Sequence, residues 1–230
     1  TRRSSDLGEP AVAFRETITR EAELSYRYKK QTGGKGQFAQ IFFRLEPNPG
    51  MGIEFVDHVK GGNIPREFIP AVEKGFREVV ERGLIAGYPI VDIKFVLIDG
   101  SYHPVDSSEM AFRMCTILGM KEIISKTAPQ LLEPIMKIEI NTPDEYMGDA
   151  IGDINRRRGK IENMRRYRKG SQKLNGTVPL MEMFGYASTL RTLSSGRAAF
   201  SMEFLQYAAL PKNIEEKIIE ESRKKKAERN

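Results

Sequence analysis

The order of hydrophobic patterns between residues 135 and 207 constrains the fold more tightly than anything else in this chain. Residues 135–140 read as a strand, and Thr142-Pro143-Asp144-Glu145 reads as a capping box with proline at the first helical position. Met147, Ile151 and Ile154 give that helix its apolar stripe, and Gly159 is expected to stop it. Strands at 160–166 and 173–178 follow, separated by Lys169-Gly170-Ser171. A second helix carries Met183, Ala187 and Leu190, stops near Gly196 and leads to a last strand at 198–207. The order β-α-β-β-α-β within about 75 residues is the split βαβ, or ferredoxin-like, arrangement.

The residues upstream form a different pattern. Residues 13–19, 23–29 and 38–45 are strand-like, and Gln31-Thr32-Gly33-Gly34-Lys35-Gly36-Gln37 joins the last two as a glycine-rich hairpin tip. A turn at Pro47-Asn48-Pro49-Gly50 precedes a fourth strand at 52–59. Pro70 fits the first turn of a helix in which Val72, Phe76, Val79 and Val80 recur at helical spacing, and Gly83 ends it. Residues 90–98 return as a buried strand, and 107–127 form a second helix. Between these two, Gly100 and Pro104 break both periods, so His103 falls on a tight strand-to-helix turn. Asp106 and Glu109 have capping-box spacing and are expected to fix where that helix starts. Asn213 and Glu216 are expected to cap a last helix, with Ile214 and Ile218 facing inward and a basic end. At 230 residues, the chain has room for two modest α+β domains, each with its own core.

The net charge of +6 favours anionic partners, nucleic acid first, and the distribution of charge says more than its sum. Basic residues crowd at Lys29-Lys30, Arg156-Arg157-Arg158, Arg165-Arg166-Tyr167-Arg168-Lys169 and residues 223–226. A helix macrodipole accounts for Arg156–Arg158 at a helix end. It does not account for Arg165, Arg166, Arg168 and Lys169, which lie on a strand end and in a turn. With Tyr167 interleaved, they are the candidate RNA contact of the second domain. No apolar stretch approaches the roughly 20 residues a membrane helix needs, and the first residues lack an apolar signal region. A single cysteine, Cys115, excludes an internal disulfide, and a reduced, cytoplasmic setting is expected.

Catalysis finds little support. No G-x-x-x-x-G-K-[ST] run is present, and Gly33-Gly34-Lys35-Gly36 is too short and sits in a hairpin. Two histidines and one cysteine without ligand spacing argue against a metal site. His58 is placed in the strand ending at Val59, as a structural residue. A hydrolase-like grouping of Asp99, His103, Asp106 and Ser107 is set aside, because Asp106 serves as a cap and Ser107 would point along the helix start. The slim tip Gly33, Gly34, Lys35, Gly36, Gln37 instead suits close approach to a nucleic-acid backbone. Lys35 would face phosphates, and Gln37 would donate or accept at a 2′-hydroxyl or base edge. His103, flanked by Ser101, Tyr102 and Pro104, reads as a stacking or hydrogen-bonding group.

These motifs together resemble elongation factor G, a five-domain translational GTPase, over nearly the whole chain. The resemblance is carried by the opening run from Gly8 to Ile18, by Gly33-Gly34-Lys35-Gly36-Gln37-Phe38, and by Lys60-Gly61-Gly62-Asn63-Ile64-Pro65 with the run Phe68 to Gly75. Ser101-Tyr102-His103 with Val105-Asp106-Ser107-Ser108 carries it further, as do Leu131-Leu132-Glu133-Pro134, Gly148-Asp149, Arg156-Arg157-Arg158-Gly159 and Glu182-Met183-Phe184-Gly185-Tyr186-Ala187. The resemblance implies a ribosomal protein S5 domain 2-like domain IV at residues 1–132, to which the helix 209–230 returns, and a ferredoxin-like domain V at 133–208. It implies that Gln37 and His103 lie at the codon–anticodon duplex in the small-subunit decoding site, and that domain V meets large-subunit rRNA. A monomer that binds the ribosome is expected. GTP and Mg²⁺ would belong to a GTPase domain that this chain does not contain, with no cofactor here. A paralogue that splits ribosomes for recycling and a ribosome-protection factor are the alternatives. The segment from Asn163 to Gly176 is more basic than the family pattern leads one to expect.

Overall fold

A computed structural model describes residues 12–31 and 33–229. The opening motif as far as Ala11, Thr32 of the hairpin tip, and Asn230 lie outside the described residues. The protein is α+β and divides into two compact units, residues 15–131 with 210–229, and Leu132–Ala209 with residues 12–14.

The first unit begins with β1 (Arg15–Ile18) and is built on a four-stranded sheet of β2 (Ala22–Lys30), β3 (Gln37–Pro47), β4 (Ile53–Asp57) and β5 (Ile93–Ser101). The strand order is β2-β3-β5-β4. The first three are antiparallel neighbours, whereas β4 runs parallel to β5 and reaches it through helix α1 (Ile69–Arg82). Helix α2 (Glu109–Ile123) follows β5. Strand periodicity sorts β3 into two faces, with Ala39, Ile41, Phe43 and Leu45 fully buried and Gln40, Phe42, Arg44 and Glu46 partly exposed between them. The buried face joins Val72 and Phe76 of α1 and Phe112 and Cys115 of α2 in one core, where the Phe43 and Phe95 rings stack 4.8 Å apart. Burying each such aromatic stabilises the unit by about 1.5–3 kcal/mol. This is the S5 domain 2-like architecture.

Glu16 of β1 shows a feature that no sequence pattern announced. It is buried, and its carboxylate accepts the backbone N–H groups of Leu84, Ile85, Ala86, Gly87 and Tyr88 at 2.6–3.2 Å. These backbone dipoles compensate the desolvated carboxylate. Helix α5 (Lys212–Ala227) holds the same loop, through Ser222 Oγ donating to the Ala86 carbonyl at 2.7 Å. At its other end, Glu215 accepts the Leu131 N–H at 2.9 Å.

The second unit takes up the long strand β6 (Pro129–Pro143) and continues with α3 (Met147–Arg156), β7 (Lys160–Arg168), β8 (Ser171–Pro179), α4 (Tyr186–Leu193) and β9 (Ala199–Ala209). Its strands lie in the order β9-β6-β8-β7, with every neighbouring pair antiparallel. That order is ferredoxin-like. Ile138, Ile140, Leu174 and Val178 of the sheet meet Ala150 and Ile154 of α3 and Tyr186 and Leu190 of α4 in the core.

Several local expectations give way to tertiary contacts. Thr142 and Pro143 do not cap a helix. They close β6 in register with Gln172 and Ser171, and a short 3₁₀ turn, Asp144–Tyr146, leads into α3 with no side-chain cap. Ladder hydrogen bonds on a buried strand outweigh one local cap. The left-handed residue that stops α3 is Arg158, at φ 58°, rather than Gly159. A non-glycine residue there costs about 1–2 kcal/mol. The Arg158 guanidinium offsets that cost by pairing with both oxygens of buried Glu133, at 2.9 and 3.1 Å, and with Glu182 at 3.0 Å. Gly159 is needed for space, since a Cβ would lie 2.6 Å from the Ile154 side chain. Asn213 caps nothing: α5 starts directly after Pro211 without a side-chain cap. His58 lies just beyond β4, is exposed, and borders an open cleft of about 810 Å³ with Phe42, Lys60, Asn63 and Asp99.

Candidate nucleic-acid interface

The β2–β3 hairpin and the β5–α2 turn emerge from neighbouring strands, because β3 pairs with both β2 and β5. Their tips therefore meet at one end of the sheet. Ser107 Oγ accepts the His103 N–H and donates to the Phe38 carbonyl, both at 2.8 Å, and its own N–H donates to the His103 carbonyl at 3.1 Å. Asp106 completes the clasp. Its carboxylate accepts the Gly36 N–H at 3.2 Å, and its carbonyl accepts the Phe38 N–H at 2.9 Å. The two loops thus form one hydrogen-bonded body.

This arrangement overturns the expected roles of both residues. Ser108, not Asp106, caps α2: its backbone is extended and its Oγ accepts the Ala111 N–H at 3.1 Å. The helix starts two residues later than a cap at Asp106 requires, which frees Asp106 and Ser107 to bind the hairpin. Ser107 accordingly turns toward the His103 backbone instead of along the helix.

The imidazole of His103 is half-exposed, with its Nδ1 accepting the Val105 and Asp106 N–H groups at 3.2 and 3.1 Å. The Phe38 ring meets it edge-on, with centroids 6.4 Å apart. Exposed Tyr102, Val105 and Met110 surround this turn. On the hairpin, Gln37 Oε1 accepts the Tyr28 hydroxyl at 2.8 Å, and Lys35 is exposed without an acidic partner among the described residues. Ser101 Oγ donates to Gln40 at 3.1 Å, just below the turn. Gly36 leaves room for the clasp, since a Cβ there would come within 3.3 Å of the Asp106 carboxyl carbon. Gly33 is different: a Cβ would meet nothing within 4 Å. Nothing described within the unit requires that position to lack a side chain.

At the base of the turn, Asp99 accepts the Asn63 amide at 2.9 Å and the Gly100 N–H at 2.8 Å, and these bonds hold its carboxyl below the ordinary aspartate range. Burial pushes the Cys115 thiol up to about 12, so it is an inert core residue rather than a nucleophile. Among the described residues, no group of three or more His, Cys, Asp or Glu could hold a metal ion. No helix there is long and apolar enough to cross a membrane.

The second unit carries a different surface. Arg165, Arg166 and Arg168 lie on the edge strand β7, and Lys169 occupies the β7–β8 turn with Gly170 at φ 77°. All are exposed, and none pairs with a carboxylate among the described residues. Tyr167 lies 5.1 Å from the Arg168 guanidinium and 4.8 Å from Lys173 Nζ. Within the run Arg156–Arg158, two of the three arginines are spent internally. Arg157 binds Asp153 at 2.9 Å and the Glu182 carbonyl at 2.6 Å, and Arg158 is paired as described above.

The first unit is thus a mixed sheet with a clasped two-loop tip, and the second a ferredoxin-like sheet with a basic hairpin. Residues 10–128 match the family model for elongation factor G, domain IV, and residues 130–218 match that for the elongation factor G C-terminus. The chain belongs to the elongation factor G family. A crystal structure of ttk003000868 from Thermus thermophilus is 36% identical and superposes with a TM-score of 0.82 over 94% of this chain. The chain spans 32% of the length of that protein.

Proposed function

We propose that the clasped tip enters the small-subunit decoding site of the ribosome and drives or locks the movement of tRNA and mRNA during elongation. The observation that carries this reading is the clasp itself. It joins Gly33, Gly34, Lys35, Gly36 and Gln37 with Ser101, Tyr102, His103 and Pro104 into a narrow, preorganised body at one end of the sheet. Such a body suits an A-form duplex, which is read by shape and 2′-hydroxyls rather than by a base code. It can act as a wedge that uncouples the duplex from its site and a pawl that blocks its return. Arg165, Arg166, Tyr167, Arg168 and Lys169 contact large-subunit rRNA through phosphates. GTP and Mg²⁺ belong to a separate GTPase domain of the full-length factor, which works as a cytoplasmic monomer.

Replacing His103 with alanine in the full-length factor tests the reading. Ribosome-dependent GTP hydrolysis should stay near wild type while single-turnover translocation slows by about tenfold, the effect of roughly 1.4 kcal/mol on the barrier. Undiminished translocation would remove His103 from the mechanism. The basic β7–β8 hairpin departs from the family pattern, and the second reading is a paralogue specialised for ribosome recycling. A subunit-splitting assay run beside the translocation assay separates the two.

A further inference from the structure

The loop between α1 and β5 holds a side chain of its own unit in the way a receptor holds an anion. Gly83 opens the loop at φ 72°, where a Cβ would lie 2.6 Å from Glu16 Oε1 and 2.2 Å from the Tyr88 carbonyl oxygen. The five backbone N–H groups that follow turn toward one carboxylate. Oε1 accepts those of Ile85, Ala86, Gly87 and Tyr88, and Oε2 accepts those of Leu84 and Ile85. Successive N–H groups converging on one point make an anion-binding concavity. An ionised carboxylate meets them with two oxygens and no donor, whereas a glutamine amide would set an NH₂ group against them. β1 seats the group, because the Glu16 N–H donates to the Pro89 carbonyl and the Glu16 carbonyl accepts the Val91 N–H, each at 2.9 Å.

The same loop carries α5. One peptide group, Ala86–Gly87, donates through its N–H to Glu16 Oε1 at 3.0 Å and accepts the Ser222 hydroxyl through its carbonyl at 2.7 Å. Hydrogen bonds in such a chain polarise and strengthen one another. None of the residues of α5 is fully buried, so a small number of bonds decides whether the helix stays docked.

We propose that the loop 83–88 is a carboxylate receptor, that Glu16 occupies it as a tethered ligand, and that its occupancy couples β1 to α5 through the Ala86–Gly87 peptide. The chain enters the first unit at Arg15 and returns to it at Leu210. The receptor is therefore a latch that fastens both segments of a discontinuous unit at one loop. Withdrawing Glu16 releases β1 and α5 together, while the core beneath β3 and α2 stays folded.

Glu16→Ala deletes the atoms of one acetate ion, which makes acetate the probe. In the two-unit chain, hydrogen exchange should run about ten- to hundredfold faster at residues 84–88 and in α5 of this variant, the scale of a hydrogen bond to a charged group, with α2 and β3 unchanged. Acetate should restore both segments together and saturably. Acetamide, which has nearly the same shape without the charge, and chloride at equal ionic strength should restore neither. If Glu16→Ala fails to fold, the same three solutes are compared as folding agents, and recovery in acetate alone is the expected result. Ser222→Ala, which leaves the carboxylate seated, should accelerate exchange in α5 about two- to tenfold and leave β1 protected. Indifference to acetate, or equal restoration by acetamide or chloride, overturns the receptor. Exchange that rises at residues 84–88 of Glu16→Ala while α5 keeps its wild-type protection overturns the coupling.

Discussion

The tip of the first unit and the basic hairpin of the second are both built from a strand pair and a glycine-bearing turn, yet they differ in what their hydrogen bonds hold. The tip is fastened by side-chain and backbone hydrogen bonds from Asp106 and Ser107, and Lys35 is the cation at its end. The β7–β8 hairpin is tied at its turn to Asp144, whose N–H donates to the Gly170 carbonyl at 3.1 Å and whose carboxylate accepts the Gln172 amide at 3.0 Å, and it displays Arg165, Arg166, Arg168 and Lys169 outside those bonds, on an edge strand and turn. A surface that must match a shape needs fixed atoms. A surface that attracts phosphates needs only charge within reach, because that attraction is long-ranged and independent of register.

The comparison can be broken most directly through the hairpin. Replacing Arg165, Arg166, Arg168 and Lys169 together by glutamine should reduce the salt dependence of ribosome or rRNA binding by about one unit of slope for each phosphate no longer neutralised. It should leave the unfolding midpoint of the unit almost unmoved, since none of these residues carries an ion pair among the described residues. An unchanged salt slope would show that the hairpin does not meet phosphate. Asp106→Ala strikes the clasp instead. It should cost the first unit about 1 kcal/mol, and amide exchange at Gly36 and His103 should accelerate while α2, capped by Ser108, keeps its protection. Loss of protection throughout α2 would return Asp106 to the role of helix cap.

A smaller effect sharpens the reading of the tip as a shape. Gly33→Ala should change stability by no more than about 0.5 kcal/mol, because the added Cβ meets nothing in the unit. It should still slow translocation by the full-length factor if the slimness of the loop is needed by its target; an unaffected rate would make that glycine incidental. The least effect concerns pH. Asp99 is held below its ordinary range by Asn63 and Gly100, so the unfolded chain takes up the proton first as pH falls. The stability Asp99 contributes is present above about pH 4 and is lost as pH drops through its lower folded value. Asp99→Asn should flatten that acid limb in unfolding curves of the chain, and an unaltered limb would assign it to other carboxylates such as Glu78, which Arg113 holds low.

Much of the architecture was legible because periodicity reports burial. The alternation in β3, the stripe of α1 and the β-α-β-β-α-β order of the second unit follow from which faces must leave water. The two loops were legible as well, since glycine and proline interrupt those periods at residues 33–36 and 100–104. Capping boxes misled. At Asp106 and at Thr142 the local pattern offered a cap, while a neighbouring strand or loop far away in sequence offered more hydrogen bonds. Arg156–Arg158 misled in another way: a charge run that reads as a helix end contains two arginines consumed by Asp153, Glu133 and Glu182.

By itself, then, the sequence determined the elements, the two cores and the places where the chain must turn, because local sterics and hydrophobic spacing are properties of short segments. Only the tertiary structure decided that Asp106 and Ser107 fasten one loop to the other, that Tyr28 holds Gln37, and that Glu16 gathers the N–H groups of a loop nearly 70 residues away. Each of these is a hydrogen bond between separate strands or loops, whose geometry exists only once the strands have paired.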